Sequence, residues 1–353
     1  MIELNEIDFL IHKLLDHLAN IQCEDGSFNT LYRHKIETED KWVKKGKQNA
    51  SMDTASSLIP LLLIDSKDAE IIIKRAIPFL KESSLDNLVW RYIPGSIHQH
   101  EIPYDIDSTS LSSFILTKHN HQINNKYFLN LFINKEGYYN TYLLNKSLTF
   151  RLPLKTCIRL AYNNLRSTSR SEISIEKNDF ETGTTCNALL YLGKMKANEK
   201  VWKNLEEDLA NLRIRSVYFS LFYSVYAYAR LIKYGNNTSM ILSKEQLDKI
   251  MKTLYSQLNI EGEQLDKLFF INAVLLLDLH IDKYYDALIK QCFLDVQLNK
   301  YTEVEPYFTS HKVITKHHIS YFGSPGVTCS LYLEFLNLYR KYTFNVYYKQ
   351  SAK

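Results

Sequence analysis

No stretch of this 353-residue chain is apolar enough to cross a bilayer: the richest run, Val217 to Ile232, is broken by Ser220, Ser224 and Arg230 and falls short of the roughly 20 residues a span needs. That run reads as a buried helix. A secretory leader is not expected either, because Met1-Ile-Glu-Leu-Asn-Glu6 carries acids where an n-region carries bases, and no small-residue cleavage site follows. Cysteine is sparse. The five (Cys23, Cys157, Cys186, Cys292, Cys329) show no Cys-x-x-Cys spacing and are odd in number, which argues against a disulfide framework and suits a reducing, cytoplasmic compartment. Charge of one sign is lacking too: 43 Lys and Arg against 39 Asp and Glu leave a formal net +4, too mild for a nucleic-acid binder. The one dense basic run, Lys41-Trp-Val-Lys-Lys-Gly-Lys47, reads as a solvated loop. Few segments alternate in the manner of strands.

Apolar side chains at helical spacing are what the chain does have. Ile7, Leu10, Ile11, Leu14, Leu15, Leu18 and Ile21 form one face of an amphipathic helix, which ends in Gln22-Cys-Glu-Asp-Gly-Ser-Phe28, where Asp-Gly supplies the turn. Related helix-then-acid-Gly patterns return at Phe128 to Tyr138 and at Leu254 to Gly262. A second kind of segment alternates with these. Met52-Asp-Thr-Ala-Ser-Ser, Ile106-Asp-Ser-Thr-Ser, Thr182-Gly-Thr-Thr-Cys-Asn and Ser324-Pro-Gly-Val-Thr-Cys each open with small hydroxyl or acidic residues and then turn apolar, with Ser216 to Leu231 and Leu265 to His280 as further members. Alternating amphipathic and apolar small-residue helices predict two concentric helical layers built from six or seven hairpins of roughly 50 residues, one unit over residues 1–353, with Asp53 as a helix cap.

With those residues in view, the Gln22-x-x-Asp-Gly-Ser-Phe28 element after a leucine-rich helix resembles the QW-type repeat of squalene and oxidosqualene cyclases. The resemblance implies an all-α (α/α)6-type barrel, a fold also used by protein prenyltransferase β-subunits. A second point of contact is Trp90-Arg-Tyr92 with Tyr104-Asp-Ile-Asp-Ser-Thr109, similar to the Asp-x-Asp-Asp motif of class II terpene cyclases and closer to the Asp-x-Asp-Thr-Thr variant of drimenyl-diphosphate-forming cyclases. It implies that Asp107 is the acid that protonates a linear isoprenoid, farnesyl diphosphate being the first substrate to try, with Asp105 as its partner and Ser108 and Thr109 as hydrogen-bonding support. Read without the resemblance, Asp107 followed by Ser-Thr-Ser is also the pattern of a helix N-cap.

The chemistry of that reading needs a neutral carboxylic acid in a dry cavity, which burial and a neighbouring carboxylate both favour, and aromatic faces to stabilise carbocations. Trp90, Tyr92 and Tyr104 are the aromatic candidates nearest in sequence. A diphosphate would need cations or Mg²⁺, for which Arg91, Arg213 and Arg215, with Lys155, are candidates. Two other classes compete: a barrel that binds an isoprenoid or lipid, a partner subunit or a second copy without turnover, and a zinc-dependent prenyltransferase-like subunit. His98, His100, Glu101, His317, His318 and Cys329 are zinc-capable, yet the Asp-x-Cys and Cys-His-Gly elements of zinc barrels are missing. No metal ligand is therefore assigned. Asp278, Asp282 and Asp286 are expected on one solvated helix face.

Overall fold

The computed structural model describes residues 3–36, 41–94, 103–143, 155–162, 179–235, 242–258, 264–281, 283, 285–304, 307–309 and 318–351. Helices dominate, in the alternation the sequence predicts. The amphipathic set comprises α1 (Leu4–Ile21), α3 (Lys67–Glu82), α5 (Lys126–Asn130), α8 (Glu199–Ala210), α10 (Lys244–Tyr255) and α12 (Asp286–Gln297), together with α6 (155–162). The apolar set comprises α2 (Ser51–Leu58), α4 (Ile106–Lys118), α7 (Thr182–Leu192), α9 (Leu221–Tyr234), α11 (Gln264–Leu276) and α13 (Pro325–Ser351). Every residue of α2 and α7 is buried, whereas α1 buries a single stripe, Ile7, Leu10, Ile11, Leu14, Leu15 and Leu18. A helix buried all round must be surrounded, so the second set forms the inner layer.

Those six inner helices close on themselves. Each packs on the next in the order α2, α4, α7, α9, α11, α13, and α13 packs back on α2, with α1 and α3 laid against the outside of the join. The result is the all-α (α/α)6 toroid expected. Small residues make the close packing of the inner ring workable: α4 opens Ile-Asp-Ser-Thr-Ser and α7 opens Thr-Gly-Thr-Thr. Gly183 is one such close approach, since an added Cβ would sit 3.0 Å from the Tyr223 ring and the ring would have to give way by a few tenths of an ångström.

The repeat turns work as latches between outer helices. Gln22 donates Nε2 to the carbonyls of Gly26 (2.8 Å) and Ile72 (2.9 Å), tying the end of α1 to the middle of α3. Gly26 adopts φ +85°, and a Cβ there would fall 1.8 Å from the Arg75 carbonyl oxygen. In the second copy Gly137 again has positive φ (+92°), with Asn134 Oδ1 accepting from the N–H groups of Gly137 and Tyr138. The third copy's turn, up to Gly262, lies outside the described residues.

Extended segments lead into the inner helices and are stitched to one another at that end of the barrel. Ser51 N–H donates to Tyr92 O, Arg91 bridges Tyr104, Asp105 bridges Tyr142, Asn140 bridges Phe180, and Thr182 N–H donates to Arg215 O. This collar brings the N-termini of consecutive inner helices to one mouth. A four-stranded antiparallel sheet of order β2-β1-β4-β3 stands there as well, from β1 (Phe28–Ile36), β2 (Lys41–Ala50), β3 (Phe308–Thr309) and β4 (His318–Gly323). It corrects the reading of the Lys41–Lys47 run as a loop. β2 is an edge strand running straight into α2, and lysines on an edge oppose pairing with another chain, so a strand of this kind lacks the apolar alternation by which strands are recognised. Asp278 and Asp286 also depart from expectation: α11 stops at Leu276, Asp278 turns at φ 51°, and Asp286 opens α12, so one helix face does not carry both. Asp282 lies outside the described residues.

Candidate active site

Helix α4 starts at the collar, and its first turn carries the two carboxylates. Asp105 is the N-cap, extended at φ −133°, with Oδ1 accepting from Ser108 N–H at 2.6 Å and Oδ2 from the Ser108 hydroxyl at 2.9 Å. Asp107 is therefore not the cap. Its side chain points across to the neighbouring inner helix α7, where Thr184 Oγ1 donates to Oδ2 (2.6 Å) and Asn187 Nδ2 donates to Oδ1 (2.7 Å). Both carboxyls are buried, at 5% exposure for Asp105 and 3% for Asp107.

Burial sets the protonation of this pair. Loss of water pushes Asp105 up to about 8, and the neighbouring Asp107 charge adds to the rise. Asp107 is raised by burial against the opposing pull of Asn187, Thr184 and the nearby Arg230 cation. A third carboxyl stands close by. Glu181, just before α7, holds the N–H groups of Val217, Tyr218 and Phe219 on Oε1, while its Oε2 has no hydrogen-bond partner among the described residues; burial lifts it to about 8.

Beyond Asn187 the polar chain runs deep into the barrel. Arg230 of α9, 1% exposed, donates from one terminal nitrogen to Asn187 Oδ1 (2.9 Å) and to Tyr223 Oη (3.4 Å), and its guanidinium lies 4.7 Å from the Tyr226 ring centre. Tyr226 and Tyr234 donate their hydroxyls to Glu334 of α13, at 2.5 and 2.7 Å. An aromatic wall flanks this chain: Tyr223 stacks on Phe219 (4.1 Å between ring centres) and meets Phe269 edge-on (5.3 Å), and Phe219 faces Tyr307 (6.1 Å). Such faces are the groups that stabilise a carbocation without trapping it.

The structure distributes the other sequence candidates unevenly. Ser108 serves Asp105, and Thr109 Oγ1 bonds the backbone N–H and C=O of Trp90, so the two hydroxyls expected to support Asp107 hold its surroundings instead. The groups that do hold Asp107 are Thr184 and Asn187, which lie 77 and 80 residues away. Trp90 is fully buried and donates its indole N–H to Leu80 O on the outer helix α3. Tyr92 reaches Asp53 (3.3 Å). Tyr104 lies under the Arg91 guanidinium at 4.2 Å, both residues buried beside Asp105. Arg215 covers Phe180 at 4.2 Å on the same collar, whereas Arg213 is mostly exposed and paired with Asp208, and Lys155 is exposed on α6. Asp53 does not cap α2, whose N-cap is Ala50. Cys329 is buried, its thiol directed at Leu14 O; His98, His100, Glu101 and His317 lie outside the described residues. Among the described residues no three His, Cys, Asp or Glu side chains are grouped to hold a metal ion.

A cavity of about 930 Å³ opens at the opposite end of the ring, lined by Lys233, Lys244, Lys341, Asp278 and apolar residues including Leu275 and Leu338. Its lysines face helix ends: Lys341 donates to Leu63 O (2.8 Å) and Lys244 to Asp278 O (3.3 Å), the partners that C-terminal carbonyls and the negative end of the helix dipole require.

No protein-family model matches the chain, and no curated protein matches it. Among solved structures it is similar to the type II terpene cyclase MstE from Scytonema in its apo form, with a TM-score of 0.57 and 10% sequence identity over 94% of this chain and 98% of that one. The likeness is one of fold.

Proposed function

We propose that this protein is a class II terpene cyclase in which Asp107 protonates a carbon-carbon double bond of a linear isoprenoid. The observation that carries the reading is the Asp107 carboxyl itself, buried on the inner ring, shifted toward its neutral form, and held on both oxygens by the next inner helix. Proton transfer to an alkene requires a carboxyl that still carries its proton at neutral pH and has no water to give it to; burial favours both, whereas a solvated carboxyl would be ionised. Thr184 is a hydroxyl and can accept as well as donate, so it serves the protonated acid and the carboxylate left after transfer. Fold likeness to a type II cyclase over 94% of this chain and 98% of that one supports the reading.

Asp105 contributes by capping α4 and by standing as a second carboxyl beside the first. The Phe219, Tyr223 and Phe269 faces are the cation-stabilising surface of this reading, in place of Trp90. For a prenyl diphosphate, Arg91 and Arg215 are the cations on the mouth collar, and Mg²⁺ would arrive on the diphosphate of the substrate.

The test is gas-chromatographic analysis of products after incubation with farnesyl or geranylgeranyl diphosphate and Mg²⁺ and phosphatase treatment, with Asp107→Asn alongside. A cyclic product made by the parent protein and reduced at least about a thousandfold in the variant is expected, the scale of removing an essential general acid. Linear alcohols alone from both proteins, with isoprenoid retained on the barrel, would replace this reading with that of a binding protein.

A further inference from the structure

Asp53 is a buried carboxyl near the mouth that the acid chemistry of Asp107 leaves without a task. It lies in the first turn of α2 at 0% exposure and caps nothing, since no side-chain bond closes that helix end. Two phenols hold it: Tyr307 donates to Oδ1, and Tyr92 donates to Oδ2 at 3.3 Å, with Thr30 Oγ1 2.9 Å from the Tyr92 oxygen. A carboxyl in a dry site surrounded by donors is favoured as the anion by those bonds while burial opposes it, and the balance leaves Asp53 at about 7.

Tyr307 connects this pair to the proposed site. Its ring faces Phe219, Phe219 stacks on Tyr223, and the Tyr223 hydroxyl accepts from the Asn187 amide that also donates to Asp107. The inner helices α2 and α9 are not neighbours in the ring, so a contact from Asp53 of α2 to Phe219 at the start of α9 through one tyrosine must reach across the mouth. The Asp53–Tyr307 pair and Asp107 thus stand at the two ends of one aromatic wall.

A cascade begun by adding a proton must end by losing one or by capturing a nucleophile. Resting on the cyclase reading, we propose that Asp53 and Tyr307 together are the base that ends it. In the final step a C–H bond next to the cationic carbon breaks, and its electron pair becomes the new C=C bond. The proton passes to Tyr307 Oη as the phenolic proton moves to Asp53 Oδ1. One proton enters from Asp107 and one leaves through Asp53, so each turnover balances after both exchange with solvent. Tyr92 and Thr30 are positioning residues that hold the other carboxylate oxygen.

The experiment is product analysis of the purified full chain with the isoprenoid it cyclises, comparing the parent protein, Asp53→Asn, Tyr307→Phe and Asp107→Asn. The measured quantity is the ratio of cyclic olefin, ended by a new C=C bond, to cyclic alcohol, ended by water capture at the last cation, the hydroxyl left by phosphatase being common to both; a loss of stability does not alter this ratio. Both the Asp53 and Tyr307 variants are expected to lower that ratio at least tenfold, with cyclic alcohol still formed, whereas Asp107→Asn forms neither. Tyr307→Phe removes a single hydroxyl and keeps the ring against Phe219, so it tests the idea even where Asp53→Asn folds poorly. An unchanged ratio in Tyr307→Phe, with cyclic products still made, overturns this inference and leaves the cyclase reading standing. No cyclic product from the parent protein overturns both.

Discussion

Replacing Asp105 with Asn should stabilise this protein, and by an amount that grows with pH. The capping role survives the change, because Asn is as good an N-cap as Asp: its carbonyl oxygen accepts from Ser108 N–H, and the Ser108 hydroxyl turns from donating to Oδ2 to accepting from the new amide. What the change removes is a carboxyl whose folded-state value is raised to about 8 from an ordinary 3.8, by burial first and by the Asp107 charge second. The sign follows from proton binding. The folded protein holds this proton up to about pH 8 while the unfolded chain releases it near pH 4, so Asp105 is harmless below pH 4 and costs stability progressively as pH rises through that window. At about 1.4 kcal/mol per pH unit, the cost reaches about 4 kcal/mol at pH 7, and the Asn variant escapes it. Urea denaturation of both proteins at half-unit steps from pH 5 to pH 8 would measure this, the variant gaining on the parent at each step. A constant difference across that range would refute the reasoning, since it would mean that Asp105 is ionised in the folded protein and that the mouth is wetter than its burial indicates.

The buried Arg230 gives a different test. Arg230→Met should lower stability by about 3–4 kcal/mol in chemical denaturation, because Asn187, Tyr223 and the Glu334 cluster lose the cation they surround. Gly26→Ala should cost about 3 kcal/mol or more, read as a fall in thermal midpoint, because positive φ and the Arg75 carbonyl both oppose a Cβ. Asn187→Leu should abolish cyclisation in the product assay above while leaving the circular dichroism of the helices in place, since it removes a donor from Asp107 and an acceptor from Arg230 together.

Parts of the site were legible in the chain and others were not, for reasons that differ residue by residue. Asp107 is marked in the sequence by the resemblance of Asp105-Ile-Asp-Ser-Thr109 to a cyclase motif, while its local pattern alone reads as a cap until Asp105 is seen to occupy that position. Nearness in sequence points Ser108 and Thr109 at Asp107, but side chains one and two residues apart on a helix face different directions, and these bond Asp105 and Trp90. Asn187 carried a usable signal, being the one amide in α7, whereas Thr184 is one of three threonines in the first turn of that helix and nothing local sets it apart. For Tyr223 and Tyr226 on α9, and Phe219 just before it, spacings of three and four were such a signal too, hidden among 25 tyrosines and 17 phenylalanines.

By itself the sequence determined the layers. Period-3.6 stripes force α1 or α3 to lie on a core, all-round apolarity forces α7 and α11 to be enclosed, and acid-Gly turns mark where outer helices stop, all through local chemistry within a few residues. Only the tertiary structure decided that the ring closes between α13 and α2, that Asp107 faces α7, and that Tyr307 reaches Asp53 from 254 residues away. Those are contacts between side chains whose separation along the chain leaves no periodic trace, and their geometry exists only once six helix starts are gathered at one mouth.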